Sequence, residues 1–378
     1  MSLFAENSSV TYCIKCLTPS SRPRISINNS GICNACENSS EKKKIDWNFR
    51  EKELIDILDK YRSQKGDYDC IVPWSGGKDS SSIAHRLKFK YKMNPLLVTF
   101  SPLIINNVGN HNREELIKSG FDSIFFRPNQ KISRLLSKRF FVERGNPKVH
   151  WDAGINAIPV SMALKFNIKL LFYAEHGESE YGGRVLDEEK KKVRDITEVI
   201  EHQIGDDPSN WLDEEVSEND LKPYKYPDCD LIEKSGLKCY YFSYFTKWDM
   251  FDNYNYIKDK IDFQLDEENR SSGTFTNFDS LDDKIDDLYY YMQYIKFGFG
   301  RCIRDASRFI QNGHLTRDEG LNLVKKFDGE FPKRNYESFL NFLNLSDCEF
   351  QDIVDKHRNK EIWRKMNDNS WNLIHPPK

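Results

Sequence analysis

The chain has 378 residues, enough for one large or two medium domains with an ample core. Hydrophobic residues make up 38% and aromatics 13%, so an aromatic-rich core is expected. Lys and Arg number 56 against 59 Asp and Glu, which argues against the global basic field of a nucleic-acid binder. Residues 1–7 hold neither a basic nor an apolar segment, so no secretory signal is expected. No apolar run approaches the roughly 18 residues of a membrane helix. A soluble cytoplasmic protein with no nucleic-acid or membrane partner is the expectation.

Four of the nine cysteines form two Cys-x-x-Cys pairs, Cys13/Cys16 and Cys33/Cys36, separated by sixteen residues. Thiolates two residues apart can reach one tetrahedral ion, so the pattern predicts a zinc-ribbon-like knuckle. Four thiolates leave no open coordination position, which makes the site structural. Iron or a redox pair is the weaker alternative. Between the pairs, residues 18–24 are turn-rich and basic and read as a solvated loop. Residues 1–44 are thus assigned to the knuckle and a charged linker.

Residues 47–64 carry apolar side chains at helical spacing. Next comes a short apolar run, Cys70-Ile71-Val72-Pro73, then Trp74-Ser75-Gly76-Gly77-Lys78-Asp79-Ser80, then a helix expected over 81–90. Adjacent glycines let backbone N–H groups approach an anion, and a helix N-terminus adds free donors. Lys78 supplies a full charge, and Ser75 and Ser80 supply hydroxyl donors. This is not the ordinary phosphate loop, which needs four residues between its first Gly and a Gly-Lys pair.

Strands are expected at 95–101, 123–128 and 169–174, with helices at 112–119, 130–140 and 151–166 between them. Alternation of this kind predicts a parallel sheet covered on both faces. Ligands of such sheets bind beyond the strand C-termini, near the topological switch point. Three strand ends should therefore meet: residues 75–80, Thr99-Phe100-Ser101, and Glu175-His176-Gly177. The polar stretch 175–183 offers Glu175 and Glu178 as candidate carboxylates. The nucleotide-binding domain is assigned to 45–183.

Residues 184–378 are assigned to an insertion and a mainly helical region that binds substrate. Residues 206–220 hold seven acids and no base, a charged loop or exposed helix expected to cover the site. Residues 239–262 are dense in aromatics, which read as core. A helix over 280–296 is expected to continue through Gly298 and Gly300, and Thr316 with Glu319 reads as a capping box.

The signature Ser-Gly-Gly-Lys-Asp-Ser resembles the pyrophosphate loop of N-type ATP pyrophosphatases, which cleave ATP between the α- and β-phosphates. With the four-Cys knuckle, Ala174-Glu175-His176-Gly177-Glu178, the Lys247-Trp248 region and residues 280–286 and 297–301, nearly the whole chain resembles the bacterial N-acetyl sugar amidotransferases. Among these it is most similar to those of flagellin modification that act on pseudaminic acid-type sugars. The resemblance implies an α/β PP-loop fold, ATP with Mg²⁺, and structural Zn²⁺ on Cys13, Cys16, Cys33 and Cys36. It implies nucleotide contacts from Ser75, Gly76, Gly77, Lys78, Asp79, Ser80, Thr99, Phe100, Ser101 and Gly177. Lys78, Asp79, Glu175 and Glu178 would be the catalytic set. The implied reaction converts an acetamido group of a nonulosonic acid to an acetamidino group. Its ammonia would come from a separate glutaminase subunit, because no Cys/His glutaminase pattern is evident here. Alternative readings are the same chemistry on a lipopolysaccharide sugar, a tRNA-modifying ATP pyrophosphatase, and a nucleotide-sensing binding protein.

Overall fold

The computed structural model describes residues 9–182, 187–194 and 205–378. Residues 1–7 and Gly183, both used in the sequence reading, lie outside that set. Helices α1 (Asn34–Lys42) and α2 (Trp47–Tyr61) lead into the sheet. The sheet strands are β1 (Cys70–Pro73), β2 (Pro95–Phe100), β3 (Asp122–Phe126), β4 (Leu170–Tyr173) and β5 (Lys238–Tyr241). They lie in the order β3-β2-β1-β4-β5, all parallel. The order reverses between β1 and β4, so the switch point lies where the glycine-containing loop leaves β1.

Both faces are covered at β1, β2 and β4, as continuous apolar strands require, whereas the edge strand β3 is largely exposed. Side-chain alternation sends Ile71, Val98 and Leu171 to one face, where they pack on α5 (Gln130–Arg144) and α6 (Val149–Lys165). Val72, Leu97 and Phe172 go to the other, against α2 and α3 (Lys78–His85). Helix α4 (Asn107–Lys118) covers the same side through Val108 and Leu116. The C-terminal region is mainly helical. Its helices Ile285–Phe297, Tyr336–Leu343 and Asp347–His357 share a core with Phe141 of α5.

Four expectations need correction. The helix expected through 280–305 is two helices, Ile285–Phe297 and Arg301–Asn312. Gly298 closes the first with a left-handed φ of 72°. Gly300 then precedes the second, whose free N–H groups of Gly300 and Ile303 donate to the Asp328 carboxylate at 2.8 and 3.1 Å. The helix expected from 81 instead begins at Lys78, and its last turn, Arg86–Lys90, widens to π geometry. The basic loop 18–24 is not simply solvated: Thr18 and Ser21 are buried, and Arg24 pairs with Glu178 at 2.5 Å. In the acidic stretch, Trp211, Val216 and Leu221 enter the core beside α5 and α6, leaving the acids at the surface. The fifth strand, at the start of the aromatic-dense stretch, had no period-2 signature to reveal it, because both faces are aromatic.

Candidate functional site

A cavity of about 370 Å³ opens at the C-terminal ends of β1, β2 and β4. Its lining combines polar residues, among them Ser75, Lys78, Asp79, Glu175, Arg194 and Asp279, with apolar and aromatic ones, Val98, Phe100, Trp151, Ile155, Pro159, Tyr173 and Tyr241. Such a mixture suits a ligand that carries both charge and a flat apolar surface.

The loop is held by interactions that its sequence encodes. Gly76 has φ 94°, a conformation that a side chain would strain, and a Cβ there would lie 2.4 Å from Arg113 Cγ. Arg113 donates to the Ser75 carbonyl at 3.0 Å and so braces the turn. Gly77 N–H donates to Ser75 Oγ at 3.1 Å, and Gly77 is the N-cap of α3. Lys78 is 2% exposed, with its ammonium 2.8 Å from Asp79 and 2.5 Å from Asp279. Burial works against its charge, but Asp279 and Asp79 outweigh that and hold it above the ordinary lysine range. Burial likewise opposes Asp279, yet Lys78 and Arg301 hold it well below the usual carboxylate range. Asp79 also accepts from Asn253 Nδ2 at 2.8 Å, so both of its oxygens are engaged in ordering the loop.

Glu175 accepts a hydrogen bond from Tyr181 OH at 2.8 Å. Desolvation, with the charge of Asp79 added, pushes its carboxyl up to about 7. A carboxylate so tuned can exchange a proton near neutrality.

Of the sequence-derived residues, Ser75, Gly77, Lys78, Asp79, Ser80, Phe100 and Glu175 line the cavity. Thr99 and Ser101 do not. Alternation along β2 points Phe100 into the cavity and Thr99 away, where its hydroxyl donates to the Trp74 carbonyl at 2.5 Å. Ser101 Oγ donates to the Pro102 carbonyl at 3.0 Å. Gly76 faces Arg113, Gly177 opens the helix α7 (Gly177–Tyr181), and Glu178 faces Arg24.

The residues that sequence reasoning missed are Trp151, Asn156, Tyr173, Arg194, Tyr241, Asp279, Ser280, Asp282 and Asp286. Arg194 stacks its guanidinium 3.5 Å over the Tyr173 ring and donates to Asn156. Ser280 has a φ of 51°, uncommon for a residue with a side chain and a pointer to a constrained site. The segment carrying Asp279–Asp286 is pinned to the turn after β2. Leu103 and Ile104 N–H groups donate to Asp283 at 2.7 and 2.9 Å, and Lys284 N–H donates to the Ile104 carbonyl at 2.9 Å. Close contact depends on Gly109 of α4, where a Cβ would lie 2.3 Å from Asp282 Cα. Burial, with Asp286 adding repulsion, pushes the Asp282 carboxyl up to about 6. Asp286 pairs with the buried Lys148. The five aspartates within 279–287 were the available signal for Asp279, Asp282 and Asp286.

The four cysteines of the knuckle are buried, with ligand atoms all within 4.8 Å of one another. Cys13 and Cys36 sulfurs are 3.8 Å apart, and those of Cys16 and Cys33 are 3.5 Å apart. Tetrahedral zinc with bonds of about 2.3 Å separates its sulfurs by about 3.8 Å. The cluster therefore could hold a metal such as zinc, and no further protein ligand is needed. Among the described residues, no helix is long and apolar enough to cross a membrane.

Residues 272–378 match the family model described as the C-terminal domain of LPS biosynthesis protein WbpG-like proteins. The chain is also similar to "Uncharacterized protein MJ1599" of Methanocaldococcus jannaschii, 46% identical over 48 residues. That match covers 13% of this chain and 17% of the length of the relative. The C-terminal match supports, at a coarse level, a biosynthetic enzyme of sugar or lipopolysaccharide metabolism. The matched region also supplies Asp279, Ser280, Asp282 and Asp286 to the cavity.

Proposed function

We propose that the protein is an ATP-dependent, AMP-forming amidotransferase of the PP-loop ATP pyrophosphatase type. Its substrate would be an acetamido sugar, a pseudaminic acid-type nonulosonic acid or a lipopolysaccharide sugar. The observation that carries the reading is the Ser75–Ser80 loop opening, at the switch point of a parallel sheet, into a cavity that Phe100, Trp151, Tyr173 and Tyr241 also line. The WbpG-like match supports the sugar substrate.

An acetamide carbonyl is a poor electrophile because its oxygen leaves badly. In the proposed reaction that oxygen attacks the α-phosphorus of ATP, and the bond to pyrophosphate breaks. Ammonia then adds to the imidate carbon, AMP leaves with the former carbonyl oxygen, and an amidine remains after proton loss. Loop N–H groups and Lys78 would hold the departing pyrophosphate, stabilising charge that develops in the transition state. Asp79 and Asp279 offer the hard oxygen donors that would hold Mg²⁺, which neutralises phosphate charge when bound. Glu175 would take the proton released as ammonia adds. The aromatic side chains of the lining would seat adenosine. Ammonia would be delivered by a separate glutaminase subunit, so glutamine hydrolysis by the purified chain alone would refute that part.

The test is incubation with ATP, ammonium and a panel of acetamido sugars. AMP release with a product about one mass unit lighter, the exchange of oxygen for NH, is expected. AMP formation with tRNA and with no sugar would overturn the reading. Lys78→Ala should abolish AMP formation and leave zinc content unchanged.

A further inference from the structure

Outside the cavity lies a second concentration of charge. Arg301, Arg304 and Arg308 are spaced by three and four residues on helix Arg301–Asn312, which puts them on one stripe. Arg308 is 5% exposed, and its Nε and Nη2 atoms have no hydrogen-bond partner. Its guanidinium stacks 3.5 Å over the Tyr181 ring. Arg304 is half-buried, 4.7 Å over the ring of Tyr290. Arg22, from the loop between the cysteine pairs, is also half-buried.

The knuckle is fastened to this helix. Ser307 Oγ donates to the Cys16 carbonyl at 2.6 Å and accepts from Thr18 Oγ1 at 3.2 Å. That attachment seats the loop carrying Arg22 on the helix that carries Arg304 and Arg308. Burial, followed by the charges of those two arginines, lowers the Arg22 guanidinium to about 9.

Among the described residues, no ion pair joins Arg22, Arg304 or Arg308 to a carboxylate. Their neighbours are paired: Arg24 with Glu178 at 2.5 Å, and Arg301 with Asp305 at 3.9 Å. Glu178 attracts Arg22 and Asp305 attracts Arg304 from beyond ion-pair distance, but the two buried Arg308 nitrogens lack an acceptor, which is unfavourable unless a ligand oxygen completes the set. Guanidinium forks match carboxylate and phosphate oxygens. Arg308 reaches the cavity wall through Tyr181: it lies over that ring, and the Tyr181 hydroxyl donates at 2.8 Å to Glu175, which lines the cavity.

We propose that Arg22, Arg304 and Arg308 form an oxyanion subsite that takes the carboxylate or phosphate of the sugar substrate. This rests on the amidotransferase reading for what the ligand is. The nucleotide phosphates are served by Lys78 and the loop, so the arginines are left for the second substrate. The knuckle then acts as a wall of the substrate site as well as a structural module.

Calorimetric binding to the full chain tests this with four probes: N-acetylneuraminic acid, N-acetylglucosamine 1-phosphate, neutral N-acetylglucosamine, and non-cleavable α,β-methylene ATP. At least one anionic sugar should bind more tightly than the neutral one, and which one separates carboxylate from phosphate. Arg308→Gln and, on the exposed side, Arg22→Gln should each weaken that binding roughly ten- to hundred-fold. Binding of the ATP analogue should stay within about two-fold, which also shows that the variants are folded. Equal binding of neutral and anionic sugars would overturn the proposal. So would an equal loss of ATP-analogue binding, which would assign the arginines to the nucleotide. If Lys78→Ala leaves AMP formation intact, the amidotransferase reading falls, while arginine-dependent binding of the anionic sugars is judged by its own result.

Discussion

Lys78 and Arg308 are both buried cations, 2% and 5% exposed, and both act on Glu175 and Asp279. The protein treats them in opposite ways. Lys78 has two carboxylates within 2.8 Å. Arg308 has an aromatic face and two nitrogens with no partner. A buried charge that is fully paired is pre-organised, needing little rearrangement when substrate arrives. A buried charge left unpaired depends on its ligand, and its burial weakens the empty protein. The difference separates the region that is complete before binding from the region that binding completes.

The largest test of that contrast is Lys78→Ala. It strips Asp79 and Asp279 of their shared partner, so denaturant unfolding should show a loss of about 3–5 kcal/mol. AMP release should fall by about a thousand-fold, the scale of losing a main electrostatic stabiliser. Gly109→Ala attacks the same side of the comparison more gently. Its Cβ would drive Asp282 and its neighbours off α4, at a cost of about 1–3 kcal/mol in unfolding free energy. Binding that depends on Arg308 should change less than binding of the ATP analogue.

Arg308→Met should show the opposite sign. It removes an unpaired buried charge and keeps most of the side-chain volume over Tyr181. The unliganded protein should therefore be as stable as the parent or more stable by about 1 kcal/mol. A loss of several kcal/mol would mean that Arg308 is already satisfied, and the comparison would fail.

The smallest effect is on pH. Glu175 is raised to about 7, so it is protonated below that pH and ionised above it. Acting as a base, it makes amidine formation fall as pH drops through about 7, measured at constant free ammonia. Glu175→Gln should lack that limb. In Arg308→Met the limb should move to higher pH, because Arg308 normally favours the ionised form. An unmoved limb would place Arg308 outside the reach of Glu175.

Two parts of the protein were legible from local residue order. The knuckle follows from the Cys-x-x-Cys spacing, since two thiolates two residues apart can reach one tetrahedral ion and two such pairs fill it. The loop follows from Gly76-Gly77-Lys78 between an apolar run and a helix, because backbone geometry at φ 94° demands glycine. The alternating elements likewise announced a parallel sheet. Boundaries slipped where a local rule competed with packing. Gly298 and Gly300 look like tolerated interruptions of one helix until the Asp328 carboxylate is seen capping a second.

What local order could not convey is which distant residues face one another. Asp279 meets Lys78 across 201 positions, and Ser307, next to Arg308, meets Cys16 and Thr18 of the knuckle from the far end of the chain. Glu178, a candidate catalyst from its place after a buried strand, faces Arg24 of the knuckle instead. Thr99 and Phe100 are neighbours in sequence, yet strand alternation sends only Phe100 to the cavity. The chain by itself determined the chemistry on offer: a loop of adjacent glycines with a lysine, a four-thiolate knuckle, and aspartates and arginines at close spacing. The tertiary structure decided which of those charges are paired and which are left open. Pairing depends on distances of a few ångströms between segments hundreds of residues apart, and no local pattern encodes those distances.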